Sequence, residues 1–171
     1  MTKLVYLSGP IAGLSYKQSI SWREAAAKML HEGSDGRVIG LSPMRGKEML
    51  RLKRKITSMA DYADVNCSSR AVTQRDRNDT MNLASLMLVY WGEMYDRPSV
   101  GTLIEFGWAD AARIPVVQAT GPKQRKDSPE GRLLYRTVNH LIVHGIAGWT
   151  VETLDEAVMI ALQILDVEEG T

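Results

Sequence analysis

Apolar and polar positions along the chain follow two rhythms. Short apolar runs at residues 3–7, 37–41, 86–91 and 115–119 end in Ser, Gly or Pro and read as buried strands. Longer stretches between them repeat apolar residues at helical spacing: 16–32, closed by Gly33; 99–113, ending before Ile114-Pro115; and 151–165. A fifth strand is expected at residues 141–143, where Leu-Ile-Val precedes the glycines of 145–148. The pattern weakens over 44–74, which reads as a short helix followed by a long loop. Such a loop is as consistent with an active-site lid as with an ordinary surface excursion. Residues 75–85 lead into the third strand, and 121–131 read as a polar loop. Strands alternating with helices predict a doubly wound α/β fold with a five-stranded parallel sheet. The 171 residues suit one domain spanning 1–171.

Composition narrows the function classes. Lys plus Arg number 21 and Asp plus Glu 20, so no whole-molecule field recruits nucleic acid. The basic runs Arg51-Leu-Lys-Arg-Lys55 and Lys123-Gln-Arg-Lys126 have no interleaved aromatics and read as solvated faces. Cys67 is the single cysteine, and His31, His140 and His144 lack zinc spacing, so neither a disulfide, a metal nor a cofactor is expected. The two later histidines, flanked by apolar residues, are expected in or beside the fifth strand. No apolar run approaches the roughly 20 residues of a membrane span, and the N-terminal run is shorter than a signal-peptide core. The expectation is a protein of the reducing cytoplasm.

The most unusual position is Glu105, a carboxylate inside a helix otherwise built from small and apolar residues. Gly101, Ala109 and Ala112 share its face and offer it no bulky cover. It either pairs with Arg97 or Arg113 at the surface or works in a site. Ser99 reads as the helix N-cap, and with Gly101 and Thr102 it presents backbone N–H groups suited to a phosphate or a sugar hydroxyl. Ligands of doubly wound sheets bind outside the carboxyl ends of the strands. Three loops are expected to converge there: Ser8 to Gly13, including Gly9, Pro10 and Ile11; the segment around Asp76 and Asp79; and Gly92 to Thr102. Each aspartate alone suits helix capping, but a pair of carboxyl groups across a cleft can cleave a glycosidic C–O bond, or by the same logic a C–N bond to a nucleobase. Tyr6 is a candidate to hold a carboxylate, or simply a core residue.

These residues resemble a known family. Tyr6-Leu-Ser-Gly-Pro-Ile11, Arg75-Asp76 and above all Pro98-Ser-Val-Gly-Thr-Leu-Ile-Glu-Phe-Gly-Trp-Ala109 are similar to the nucleoside 2-deoxyribosyltransferase superfamily, which includes the deoxynucleoside 5′-monophosphate N-hydrolases. The resemblance implies a flavodoxin-like fold in which Glu105 attacks the anomeric carbon and forms a covalent deoxyribosyl-enzyme, resolved by water or by another base. It implies that Tyr6 orients the glutamate and that an aspartate protonates the base: Asp79 by its distance from the glutamate, or Asp76 by its Arg-Asp pairing. Where the family often has a further aspartate just before the third strand, this chain has Ser85. Ser99, six residues before Glu105, matches the hydrolases that accept a 5′-phosphate rather than the transferases, which tend to have Asp there. An Asp would repel a phosphate dianion, whereas Ser and helix N–H groups would bind it. Arg97 is the candidate cation for that phosphate, since the first loop carries none. A homodimer or higher homo-oligomer is implied as well.

Two rivals stand beside this reading. The Gly-Thr-x-x-Glu core is shared with cytokinin-activating phosphoribohydrolases, whose Pro-Gly-Gly is replaced here by Pro98-Ser99-Val100. A non-catalytic nucleotide- or nucleic-acid-binding accessory protein would instead use the two basic runs.

Overall fold

The computed structural model describes residues 1–57, 67–92, 99–121 and 129–165. The chain runs β1 (Lys3–Ser8), α1 (Tyr16–Glu32), β2 (Val38–Leu41), a 3₁₀ turn (Glu48–Leu52), then α2 (Ser69–Asn78), which continues into a π-helical turn (Asp79–Leu83). It goes on through β3 (Leu86–Tyr90), α3 (Val100–Ala111), β4 (Val116–Ala119), α4 (Pro129–Val138), α5 (Leu141–Ile146), β5 (Trp149–Val151) and α6 (Leu154–Ile164). The five strands form one all-parallel sheet in the order β2-β1-β3-β4-β5, the flavodoxin-like arrangement. Two helices begin with reciprocal capping boxes, Ser15 with Gln18 at α1 and Thr153 with Glu156 at α6.

The period-two alternation of the strands sorts the core into two layers. Val5 and Leu7 of β1, with Leu86 and Leu88 of β3, face α1 and α6 and pack on Trp22, Ala26, Leu30, Ala157, Val158 and Ala161. Tyr6, Met87, Val89 and Trp91 face the opposite way, onto Phe106 and Ala109 of α3 and the apolar sides of α4 and α5. Trp91 stacks on Phe106 at 5.9 Å and donates its indole N–H to Gln118, which in turn donates to Thr150. That chain of bonds satisfies polar groups buried at the β4–β5 side of the sheet.

Four elements differ from expectation. Residues 141–143 are not a strand: they open α5, and the fifth strand is Trp149–Val151, paired with β4 from Val117↔Trp149 to Ala119↔Val151. His140 adopts an extended backbone and its imidazole accepts the Ile142 N–H, so it caps a helix instead of lying in a strand. A three-residue apolar run has no periodicity to separate the two states, and the cap decided between them. The expected polar loop ends earlier than 131, because α4 begins at Pro129; residues 122–128, with Lys123 and Lys126, lie outside the described residues. Residues 69–83 are helical, so Asp76 and Asp79 sit on α2 and its π-turn and not in a loop. The short helix expected after residue 44 is the 3₁₀ turn, and part of the loop expected after it, 58–66, is outside the described residues. Arg51, Lys53, Arg54 and Lys55 are exposed. No helix among the described residues is long and apolar enough to cross a membrane.

Candidate active site

The site begins with strand geometry. Tyr6 and Ser8 are two residues apart on β1, so both side chains leave the same face of the sheet, the face covered by α3. Glu105, in the second turn of α3, comes down on that face between them. The Tyr6 hydroxyl donates to Oε1 at 2.8 Å, and the Ser8 hydroxyl donates to Oε2. Glu105 is 9% exposed, while Tyr6 and Ser8 are fully buried. A surface pairing of Glu105 with Arg113 is thus replaced by two buried hydroxyl donors; Arg97 and Pro98 lie outside the described residues. Of the small residues on the Glu105 face of α3, Ala109 is buried in the core, while Gly101 is exposed and a Cβ added there would meet nothing within 4 Å among the described residues.

Burial raises the Glu105 carboxyl from its ordinary 4.5 to about 7, held back by the bonds from Ser8 and Tyr6, pushed further by Asp76, and opposed by Arg23. The Tyr6 phenol is pushed far up, by its own burial and then by the neighbouring Glu105 and Asp76 charges, and is a neutral donor at any physiological pH.

The two aspartates part company. Asp76 is buried at the end of α2, where it takes a forked bond from Arg75 on Oδ1 (3.1 and 2.9 Å) and faces the Lys47 ammonium at 4.0 Å on Oδ2. Burial raises its carboxyl, while Lys47 and Arg75 pull it down. Its charge is felt at both Glu105 and Tyr6. Asp79, equally buried, is held by Arg45 at 2.5 Å. Neither caps a helix start.

Arg75 also grips the segment after β2. Its guanidinium donates to the carbonyls of Arg45 (2.9 Å) and Pro43 (2.7 Å), which brings Lys47 over the site. Burial lowers the Lys47 amine, partly offset by Asp76. That segment is pinned to the first loop as well: Gly13 N–H meets the Ile56 carbonyl at 2.7 Å, and Ile56 N–H meets that of Leu14 at 2.8 Å.

The remaining candidates sort by position. Gly9 lies at the crevice between the ends of β1 and β3, where a Cβ would stand 2.7 Å from the Tyr90 carbonyl and 2.8 Å from the Trp22 ring, so only glycine fits. Pro10 is buried, and Ile11, partly buried, packs against the cluster of Tyr16, Met44, Leu50 and Ile56. Ser99 holds the N-cap position of α3 with an extended backbone, but its side chain caps no backbone N–H; its oxygen accepts the Thr102 hydroxyl at 2.8 Å.

Two further site residues escaped the sequence reading, Lys47 and Arg23. Arg23 had a readable sign, because Tyr16, Ser19, Arg23, Ala26 and Leu30 form the buried stripe of α1 and an arginine in such a stripe needs a partner. Lys47, in an irregular segment, had none. Chemically, the arrangement offers one carboxylate that two neutral hydroxyls orient, and a second carboxyl on a separate helix whose proton affinity burial raises and two cations hold down.

Among solved structures, a conserved protein from Enterococcus faecalis V583 is similar over 96% of this chain and 99% of that one, with a TM-score of 0.60 and 15% sequence identity. The likeness is one of fold. No protein-family model and no curated protein matches the chain.

Proposed function

We propose that this chain cleaves the N-glycosidic bond of a 2′-deoxynucleoside or, in preference, of its 5′-monophosphate. The observation that carries the reading is the buried Glu105 carboxylate with one oxygen on Tyr6 and the other on Ser8. Two donors leave the carboxylate oriented and ionisable near neutral pH, the state a nucleophile needs. In the first step a Glu105 oxygen attacks C1′, the C1′–N bond breaks with its electron pair leaving on the base, and the base takes a proton from Asp76. In the second, water or another base attacks C1′, the ester bond returns its electrons to Glu105, and Asp76 recovers the proton. Asp76 is preferred to Asp79 because its field reaches Glu105 and because burial favours its protonated form. Asp79, bound to Arg45, serves the structure of the π-turn.

The preference for a monophosphate rests on the start of α3. Ser99 accepts from Thr102 and has a hydroxyl hydrogen of its own to donate, six residues before Glu105, where helix N–H groups also favour an anion. Incubating the protein with each deoxynucleoside and its monophosphate, with and without an acceptor base, and following free base by chromatography tests the reading. Base release is expected and is lost in Glu105→Ala; no release from any substrate, or full activity in that variant, refutes it. Ser99→Asp is expected to impair monophosphates more than nucleosides.

A further inference from the structure

We propose that Arg23 is a positioning residue for Glu105, acting through Ser8: its guanidinium fixes the chain on both sides of Ser8 so that the hydroxyl addresses the carboxylate. The inference rests on the reading of Glu105 as the reacting group. It starts from an edge in the sheet. Ladder pairing of β1 with β2 ends at Tyr6↔Leu41, while pairing with β3 continues to Ser8↔Val89. The backbone of odd-numbered residues points toward β2, as Lys3 N–H shows by bonding the Arg37 carbonyl. Continuing that register by one step would set Pro43 against the Leu7 carbonyl, and proline has no N–H to give. The carbonyls of Leu7 and Gly9 are therefore left without ladder donors at the point where Ser8 must be held.

Arg23 replaces the missing strand. Reaching from α1, its Nε donates to the Leu7 carbonyl at 3.0 Å and its Nη2 to the Gly9 carbonyl at 2.8 Å, with Nη1 anchored on the Ser19 carbonyl. The guanidinium is 2% exposed and lies over the Trp22 ring at 4.4 Å. A planar fork spans two carbonyls separated by one residue, and that residue is Ser8. Lysine, a single point donor, cannot do this, although it keeps the charge. The groups that act on Glu105 are Tyr6 and Ser8 from β1, Asp76 from α2, Arg23 from α1 and Lys47 from the segment after β2, and only Ser8 depends on the Arg23 fork.

The test reads Glu105 directly. With glutamate labelled at the carboxyl carbon, and the Glu105 signal assigned by its loss in Glu105→Gln, the titration is followed by NMR in the wild type, Ser8→Ala, Arg23→Lys and the double variant. Each single variant is expected to move the midpoint up by about one pH unit, roughly the worth of one hydrogen bond to a charged group, and the double variant to titrate like the single ones. At neutral pH, where the ionised fraction of Glu105 drops from about one half to about one tenth, kcat should fall about fivefold with KM little changed. An Arg23→Lys protein that loses thermal stability but keeps the wild-type midpoint overturns the proposal, as do shifts that add in the double variant. Arg23→Gln replaces Arg23→Lys should the latter not fold, and because it also removes the Arg23 charge that acts on Glu105, only the part of its shift that disappears in the Ser8→Ala background counts for the proposal; if neither folds, Arg23 serves the fold alone and the proposal is wrong. Because the NMR readout needs no turnover, a midpoint that moves as expected in a protein releasing no base upholds the positioning role and overturns only the glycosidase reading.

Discussion

At the scale of single residues the site is a question of how a carboxylate is kept both buried and ionisable. Burial alone would leave Glu105 protonated at neutral pH, and a protonated carboxyl does not attack a carbon. Tyr6 and Ser8 counter this with donors that cannot lose their own protons in the physiological range, Tyr6 because its phenol is pushed well above its ordinary value. Tyr6→Phe keeps the ring in the core and removes only the bond. Its effect should be a rise in the pH at which kcat/KM reaches half its plateau, from about 7 upward, with a loss of about 10- to 100-fold at neutral pH, the worth of a hydrogen bond to a charged group. The loss should shrink toward pH 9, where Glu105 ionises regardless; a loss of equal size at every pH would mean that Tyr6 acts on the sugar instead. Glu105 was legible in the sequence because a charge in a small-residue helix stands out against its surroundings, whereas a tyrosine in a buried strand reads equally as core, so the residues alone left Tyr6 open. Ser8 was legible only as part of a loop, since no local pattern tells which hydroxyl a distant carboxylate will meet.

At the scale of elements, the site depends on a latch between α2 and the segment after β2. Arg75 joins Asp76 to the carbonyls of Pro43 and Arg45, and just ahead of α2 Cys67 bonds its thiol to the Gly46 carbonyl at 3.3 Å. Arg75→Ala removes a charged donor from three acceptors and leaves Asp76 with Lys47 as its nearer cation. A destabilisation of about 2–3 kcal/mol is expected. Cys67, 2% exposed and the single cysteine of the chain, reports the same event: its alkylation should be slow in the wild type and much faster in Arg75→Ala. Unchanged alkylation would mean that the latch is held by the apolar cluster of Met44, Leu50 and Ile56 instead. This latch could not be foreseen, because its partners are backbone carbonyls 30 and 32 residues away and carry no sequence identity. The same limit explains the fifth strand. Trp149–Val151 is a strand because β4 lies beside it, whereas residues 141–143 have strand-like composition and no edge to join. The long buried strands and the capped helices α1 and α6 needed no such partner to be recognised.

For the whole molecule, a site of this kind is a cost to stability, and the cost depends on pH. The folded chain binds the Glu105 proton more tightly than the unfolded chain does, since the carboxyl is raised from 4.5 to about 7. Between those two values the native state holds more protons than the unfolded state, so this group makes stability fall as pH rises through the window, and above it the full penalty remains. At 1.36 kcal/mol for each pH unit of difference, the penalty is about 3 kcal/mol. Glu105→Gln keeps the shape of the protonated side chain and removes the ionisation. The variant should match the wild type at pH 4 and exceed it by about 3 kcal/mol at pH 8, measured as urea midpoints with an unchanged m-value. Asp76, raised, and Lys47, lowered, also make stability depend on pH, but they are present in both proteins and their direct contributions largely cancel in the difference. The comparison therefore isolates Glu105. A Gln variant less stable than the wild type at pH 8 would mean that the bonds from Tyr6 and Ser8 to the ionised carboxylate outweigh its burial, and the pH–rate profile would then have to rise well below neutrality.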